Sequence, residues 1–196
     1  MPMGQTTQIP SLEVLEAELQ RLQAKQRRGR RFTGLLCAVA TLLAALVLAA
    51  ALWMPILQVY GTAMEPLFRS GDILVAVPAE EYRPGDVVAF YHNNTIQVRR
   101  IIAGPGTLVQ LDSDGRVLVD GTILDEPYLA GTALGQCDIS QPYTVPDGSF
   151  FVMGDNRVES VDSRSSIMGC VSEERIIGKI LFRLWPLEDF GLIPES

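Results

Sequence analysis

Histidine is almost missing from this chain: His92 is the single one among 196 residues. Imidazole chemistry therefore has one position to work from. No Cys/His spacing fits a zinc site, so no metal ligands are assigned and no cofactor is expected. Cysteine is scarce too. Cys37 lies in an apolar run, and Cys137 and Cys170 read either as unpaired small residues or as a disulfide where the habitat is oxidising. Positive charge is in deficit, with 16 Lys and Arg against 23 Asp and Glu and a net charge of -7. Nucleic-acid binding calls for a basic face and finds no support here. Internal repeats and low-complexity tracts are also lacking.

Charge of either sign vanishes between Phe32 and Met64. Within that gap Phe32 to Met54 is nearly all apolar, and 23 residues as a helix reach about 35 Å, enough to cross a hydrocarbon core. The competing reading is a cleaved secretory signal ending near Ala49-Ala50-Ala51. The run is longer than such a signal uses, and thirty-one residues precede it, so a retained anchor is expected. Lys25, Arg27, Arg28, Arg30 and Arg31 crowd its N-terminal side, while Arg69 is the first base after it. Basic flanks stay in the cytoplasm, so the chain is expected to cross a membrane once, N-terminus inside. Residues 1–31 carry a net +3 and suit a surface of anionic lipid; the rest carries -10. The expected organisation is a cytoplasmic segment at 1–31, a transmembrane helix at 32–54 and an extracytoplasmic domain at 55–196. Ser11 can cap a short helix whose Leu12, Leu15, Leu19 and Leu22 form one greasy stripe.

Pro55 ends the apolar helix, and beyond it strand signals take over. Runs at Asp72 to Val77, Asp86 to Tyr91 and Thr95 to Ile102 are rich in β-branched and aromatic residues. Leu108 to Leu111, Arg116 to Val119 and Thr122 to Leu124 are short strands separated by Asp114-Gly115 and Asp120-Gly121, the dipeptides of tight hairpins. Residues 130–148 read as an inserted loop, and Ser149 to Met153 and Ile176 to Leu184 add further strands. The expected domain is therefore mainly antiparallel β. Asp112-Ser113-Asp114-Gly115 does not continue as a calcium loop, because Arg116 and Val117 stand where a ligand and Gly belong.

Four blocks follow one another in order: Gly61-Thr62-Ala63-Met64-Glu65-Pro66, Gly85 to Phe90, Val98-Arg99-Arg100-Ile101-Ile102, and Gly154-Asp155-Asn156-Arg157 running through Ser160 to Asp162-Ser163-Arg164. With the apolar run ahead of them they resemble bacterial signal peptidase I, a membrane-bound Ser/Lys protease that removes signal peptides. The resemblance covers about residues 55–187. It implies that position 63 is the nucleophile's and position 99 the general base's, and that Gly61, Thr62, Met64, Pro66, Arg100, Asp155, Asn156, Arg157, Ser160, Asp162 and Arg164 support them. Ser160 and Asp162 would flank the base. Pro105-Gly106-Thr107 and Met64-Glu65-Pro66-Leu67 depart from the family's wording, so drift reaches beyond the two reactive positions.

Those two positions carry the wrong groups for hydrolysis. The Ala63 methyl cannot attack a carbonyl, and the Arg99 guanidinium stays protonated with no lone pair to accept a proton. Thr62 should point away from the site, and Ser70 lies past the turn. His92 precedes Arg99 by seven residues, an odd offset that on one strand puts it on the opposite face, and it reads as a turn residue beside Asn93-Asn94. The resemblance implies charged contacts between Asp162 and Arg164; the alternative is a bidentate ion pair of Asp162 with Arg99. Two functions follow. The first is a non-catalytic relative that holds signal peptides or exported preproteins, or serves surface-assembly machinery. The second is an active signal peptidase whose Ala63 is engineered or compensated. Leu67-Phe68 and Trp185-Pro186-Leu187 are candidates for contact with the membrane interface or, equally for Trp185, for the core.

Overall fold

The structure, a computed structural model, describes residues 34–49 and 54–194. The expected helix at Ser11 and both ends of the expected 32–54 span lie outside the described residues. The chain divides into two compact units, Met1–Ala50 and Ala51–Ser196.

In the first unit residues 34–49 are helical, and Leu35, Leu36, Val39, Leu42, Leu43, Leu46, Val47 and Leu48 are all exposed. Apolar side chains thus surround this helix instead of forming one stripe. Thr41 satisfies its hydroxyl locally by donating to the Cys37 carbonyl at 2.8 Å. Among the described residues no helix is long and apolar enough to cross a membrane.

The second unit is antiparallel β. In chain order its strands are β1 (Ile56–Gln58), β2 (Ile73–Val77), β3 (Val87–His92), β4 (Thr95–Ala103), β5 (Leu108–Leu111), β6 (Val117–Val119), β7 (Thr122–Ile123), β8 (Tyr143–Thr144), β9 (Ser149–Met153), β10 (Val171–Ser172), β11 (Ile176–Trp185) and β12 (Gly191–Leu192). The larger sheet runs β1-β2-β11-β3-β4-β9-β10, with β12 added beside β11; the smaller runs β7-β6-β5-β8.

Pattern explains position. β3 reads as a continuous apolar run because it is buried on both faces. Val87 and Ala89 join a core with Leu57, Met64, Phe68 and Leu74, while Val88 and Phe90 join another with Ile101, Phe150 and Val152. A third core, around Ile102, Val109, Val117, Phe151 and Met153, binds the two sheets together. Asn93 and Asn94 both take positive φ, 45° and 62°, which makes the two-residue turn from β3 to β4. Asp120-Gly121 turns β6 into β7 in the same way. Asp114-Gly115 differs: β5 and β6 are joined by a five-residue loop, in which Asp112 Oδ1 accepts from the backbone N–H groups of Asp114 and Arg116 at 2.9 and 2.8 Å.

The hairpin corrects the argument about His92. That residue ends β3 and pairs with Thr95, while Val88 pairs with Arg99. Cross-strand partners share a face, and Thr95, Gln97 and Arg99 share one by the period of two. His92 is therefore on the face of Arg99, four residues along, or about 13 Å at 3.3 Å per residue. Distance, not facing, separates them.

Candidate active site: a groove lined by Ala63 and Arg99

β4 is paired on both sides only over its second half. β9 meets it at Arg100, Ile101 and Ala103, which leaves the β9-side edge of residues 95–99 open. β1 is the other open edge, since it pairs with β2 alone. The two edges face a groove of about 600 Å³, lined by Ile56 to Gly61, Ala63, Met64 and Thr95 to Arg99. β1 carries no sequence signal of its own, because its three residues lie at the end of a longer apolar run with no alternation to set them apart.

The turn after β1 is fixed from inside and from behind. Gly61 enters it with φ +84°, a conformation that favours glycine. Met64 and Phe68 are buried in the core, and the Phe68 N–H donates to the Met64 carbonyl at 2.9 Å. Asn156 holds the turn's other side: its backbone N–H donates to the Ala63 carbonyl at 3.0 Å and its side-chain amide to the Thr62 carbonyl at 3.2 Å. Gly154 permits this approach. A Cβ there would lie 2.4 Å from both the Ala63 oxygen and Ser160 Oγ. Ala63 is thus held in place at the groove wall with only a methyl group to present. Pro66, in the same turn, faces a separate cavity with Arg69, Asp155 and Arg157.

Behind the groove lies a block of buried ion pairs. Arg100 donates to Asp155 through Nε and Nη2 at 2.9 and 2.7 Å, donates through Nη1 to the Gly85 carbonyl, and lies 3.9 Å from the centre of the Tyr128 ring. Arg157 donates to both oxygens of Glu126 and, through Nε, to the Gly154 carbonyl. Arg164 donates to Asp162 through Nε and Nη2, each at 2.8 Å, and through Nη1 to the Leu134 carbonyl. Each guanidinium meets its carboxylate in the fork geometry that suits the pair. The Tyr128 hydroxyl donates to Glu126, and burial, then the Glu126 charge, pushes its pKa well above the ordinary value.

The expected residues lie in the turn at 61–66, on β4 and in the 154–164 segment, and of the two expected partners of Asp162 it is Arg164 that takes the carboxylate. Asp162 does not clamp Arg99. Its oxygens are taken by Arg164 and by the Gly154 backbone N–H at 3.0 Å. Arg99 instead donates to carbonyls: Nη1 to Val98 at 2.7 Å, and Nε and Nη2 to Val161 at 3.3 and 2.9 Å. Burial lowers its pKa from the ordinary value; the Asp162 charge offsets part of that, and the Arg164 charge adds to it. Ser160 Oγ is buried with no hydrogen-bond partner among the described residues. Glu126, Tyr128 and Leu134 were not foreseen, because they sit in a stretch without periodicity and act on partners thirty or so residues away.

The family described as "Signal peptidase, peptidase S26" matches residues 31–185. Signal peptidase IB of Staphylococcus aureus strain COL is 34% identical over 151 residues, covering 66% of this chain and 77% of its own length. Signal peptidase I of Bacillus caldolyticus is 33% identical over 185 residues, covering 85% and 96%. A crystal structure of a signal peptidase I from Enterococcus faecalis V583 is 30% identical, with a TM-score of 0.45, over 51% of this chain and 97% of that one. The chain belongs to the signal peptidase S26 family.

Proposed function

We propose that this protein is a membrane-anchored signal peptidase I relative that receives signal peptides of exported preproteins in the groove and does not hydrolyse them. An extended peptide can add main-chain hydrogen bonds to the open edges of β1 and β4 while its small apolar side chains fill the wall between Ile56, Val59, Met64 and Val98. The observation that carries the reading is the chemistry of two residues in the groove's lining. Ala63 brings no nucleophile, and Arg99 brings no proton acceptor. Losing either member of such a set costs about 10⁴ to 10⁶ in rate, and losing both costs little more. The helical residues 34–49, apolar all round, support an anchor over 32–54 with the β unit outside the cytoplasm. Surface-assembly machinery is a natural partner for a factor that holds exported chains without cutting them.

The test uses the full chain in detergent with a labelled preprotein. Crosslinking of the preprotein without cleavage is the expected result. Cleavage by the unmodified chain would overturn the reading. The double change Ala63→Ser with Arg99→Lys is expected to bring cleavage back, since the turn and the ion-pair block that would frame the two groups are in place.

A further inference from the structure

Four arginines are buried in and around this site. Arg100, Arg157 and Arg164 each hold one carboxylate: Asp155, Glu126 and Asp162. Arg99 is 7% exposed, and among the described residues no carboxylate pairs with it. A buried cation with no counter-ion is costly, and carbonyl dipoles offset only part of that cost. The nearby Asp162 charge offsets part of that cost, and the like charge of Arg164 adds to it. A guanidinium has five N–H donors; three are used among the described residues, so Nη1 and Nη2 each keep one for a ligand. Arg99 also lines the groove, so an anion arriving there would meet a desolvated cation that has no carboxylate bonded to it among the described residues.

We infer that the groove selects peptides ending in a free C-terminal carboxylate, which pairs with the Arg99 guanidinium beside Ala63. This rests on the peptide-binding reading and narrows its ligand class. An internal amide offers Arg99 a neutral acceptor, whereas a carboxylate offers charge-assisted bonds roughly twice as strong. The two open strand edges call for a peptide main chain, and the apolar wall calls for aliphatic or small side chains near the peptide's end. Such a ligand is what hydrolysis of a preprotein after a small residue leaves on the signal-peptide side. An amide-hydrolysing enzyme is thus the class of reaction that supplies it, and this chain would hold the product rather than make it.

The experiment compares two fluorescent peptides of identical Leu, Val and Ala sequence, one a free acid and one a C-terminal amide, titrated by anisotropy against the full chain in detergent. The free acid is expected to bind about tenfold tighter or better, an increment within the range of charge-assisted bonds. In Arg99→Gln the acid should fall to the level of the amide, while Arg99→Lys should keep part of the preference. Equal binding of acid and amide by the unmodified chain overturns the inference and leaves the peptide-binding reading standing. Binding of neither peptide overturns both. A preference that survives in Arg99→Gln overturns the assignment to Arg99. Should Arg99→Gln fail to fold, the comparison of acid and amide on the unmodified chain still decides.

Discussion

Arg99 donates twice to the carbonyl of Val161, through Nε at 3.3 Å and Nη2 at 2.9 Å, and so ties β4 to the segment between Ser160 and Arg164 without touching the carboxylate one residue further on. The neighbouring Arg100 uses the same fork on a true counter-ion. Two adjacent arginines on one strand therefore do different work. Their side chains leave opposite faces of β4, and each takes the acceptor its face supplies.

This difference sets the first prediction. Asp155→Ala removes the carboxylate that Arg100 pairs with at a site where both side chains are about 2% exposed or less. Breaking a buried ion pair by removing one member costs about 3–5 kcal/mol. The urea midpoint of the β unit should fall by a large fraction of its stability. Glu81→Gln serves as the control: it breaks a pair with Arg83 whose side chains are 77% and 74% exposed, and it should leave the midpoint where it was. Equal effects from the two changes would mean that the buried pairs do not hold the block together.

Ser160 and Ser163 make a second contrast. Ser160 Oγ is buried without a partner among the described residues, whereas Ser163 Oγ accepts from the Val152 N–H at 2.9 Å and donates to the Gly169 carbonyl at 2.8 Å. Ser163→Ala leaves both of those groups unpaired and should cost about 1–3 kcal/mol. Ser160→Ala removes an unsatisfied hydroxyl and should be neutral or raise the melting temperature slightly. A loss at Ser160 as large as at Ser163 would show that its hydroxyl has a partner after all.

Much of this arrangement was legible beforehand. Leu108–Leu111 and Ser149–Met153 form strands at the boundaries their composition marks, and the paired asparagines at 93 and 94 make a hairpin. The four blocks converge, because a turn, a strand and a loop with local signatures need only be brought together. What stayed hidden was non-local or very short. β8, β10 and β12 have two residues each and exist through their partners. Glu126 meets Arg157 across 31 residues, and Leu134 meets Arg164 across 30, so no spacing rule reaches them. Arg99 shows the same limit from the other side: the sequence names the residue but not its acceptor, which depends on Arg164 having already taken Asp162.

Cys170 offers a test by pH. Burial pushes its thiol up to about 11, with the Tyr143 hydroxyl pulling the other way to a lesser degree. Thiolate is the reactive form, so iodoacetamide should modify Cys170 at pH 8 about a hundredfold more slowly in the folded protein than in urea. The rate should then rise about tenfold per pH unit toward 11. The sign for stability follows. The folded state keeps this proton longer than the unfolded one, so the thiol's contribution is intact below about pH 9 and is lost as pH climbs from there through 11. Mass spectrometry of the labelled peptide reads the rates, and fast labelling at pH 8 in the native state would contradict the half-buried placement of the thiol.

Gly154 carries the last prediction, because it decides whether the turn at Ala63 and the block at 154–164 behave as one unit. A methyl at this position would stand 2.4 Å from the Ala63 oxygen, 2.4 Å from Ser160 Oγ and 2.6 Å from Ser160 Cβ. None of these can retreat freely. The Ala63 oxygen is held by the Asn156 N–H, and the Gly154 N–H is itself engaged with Asp162. Gly154→Ala should therefore cost about 1–3 kcal/mol, the usual range for forced overpacking. It should also weaken peptide binding in the groove by more than that loss of stability explains, since the turn must move. Gly148→Ala, at a loop position with open space around it but φ +63°, should cost stability through backbone strain alone and leave binding unchanged. If Gly154→Ala binds peptide as the unmodified chain does, the groove is built without help from the block behind it.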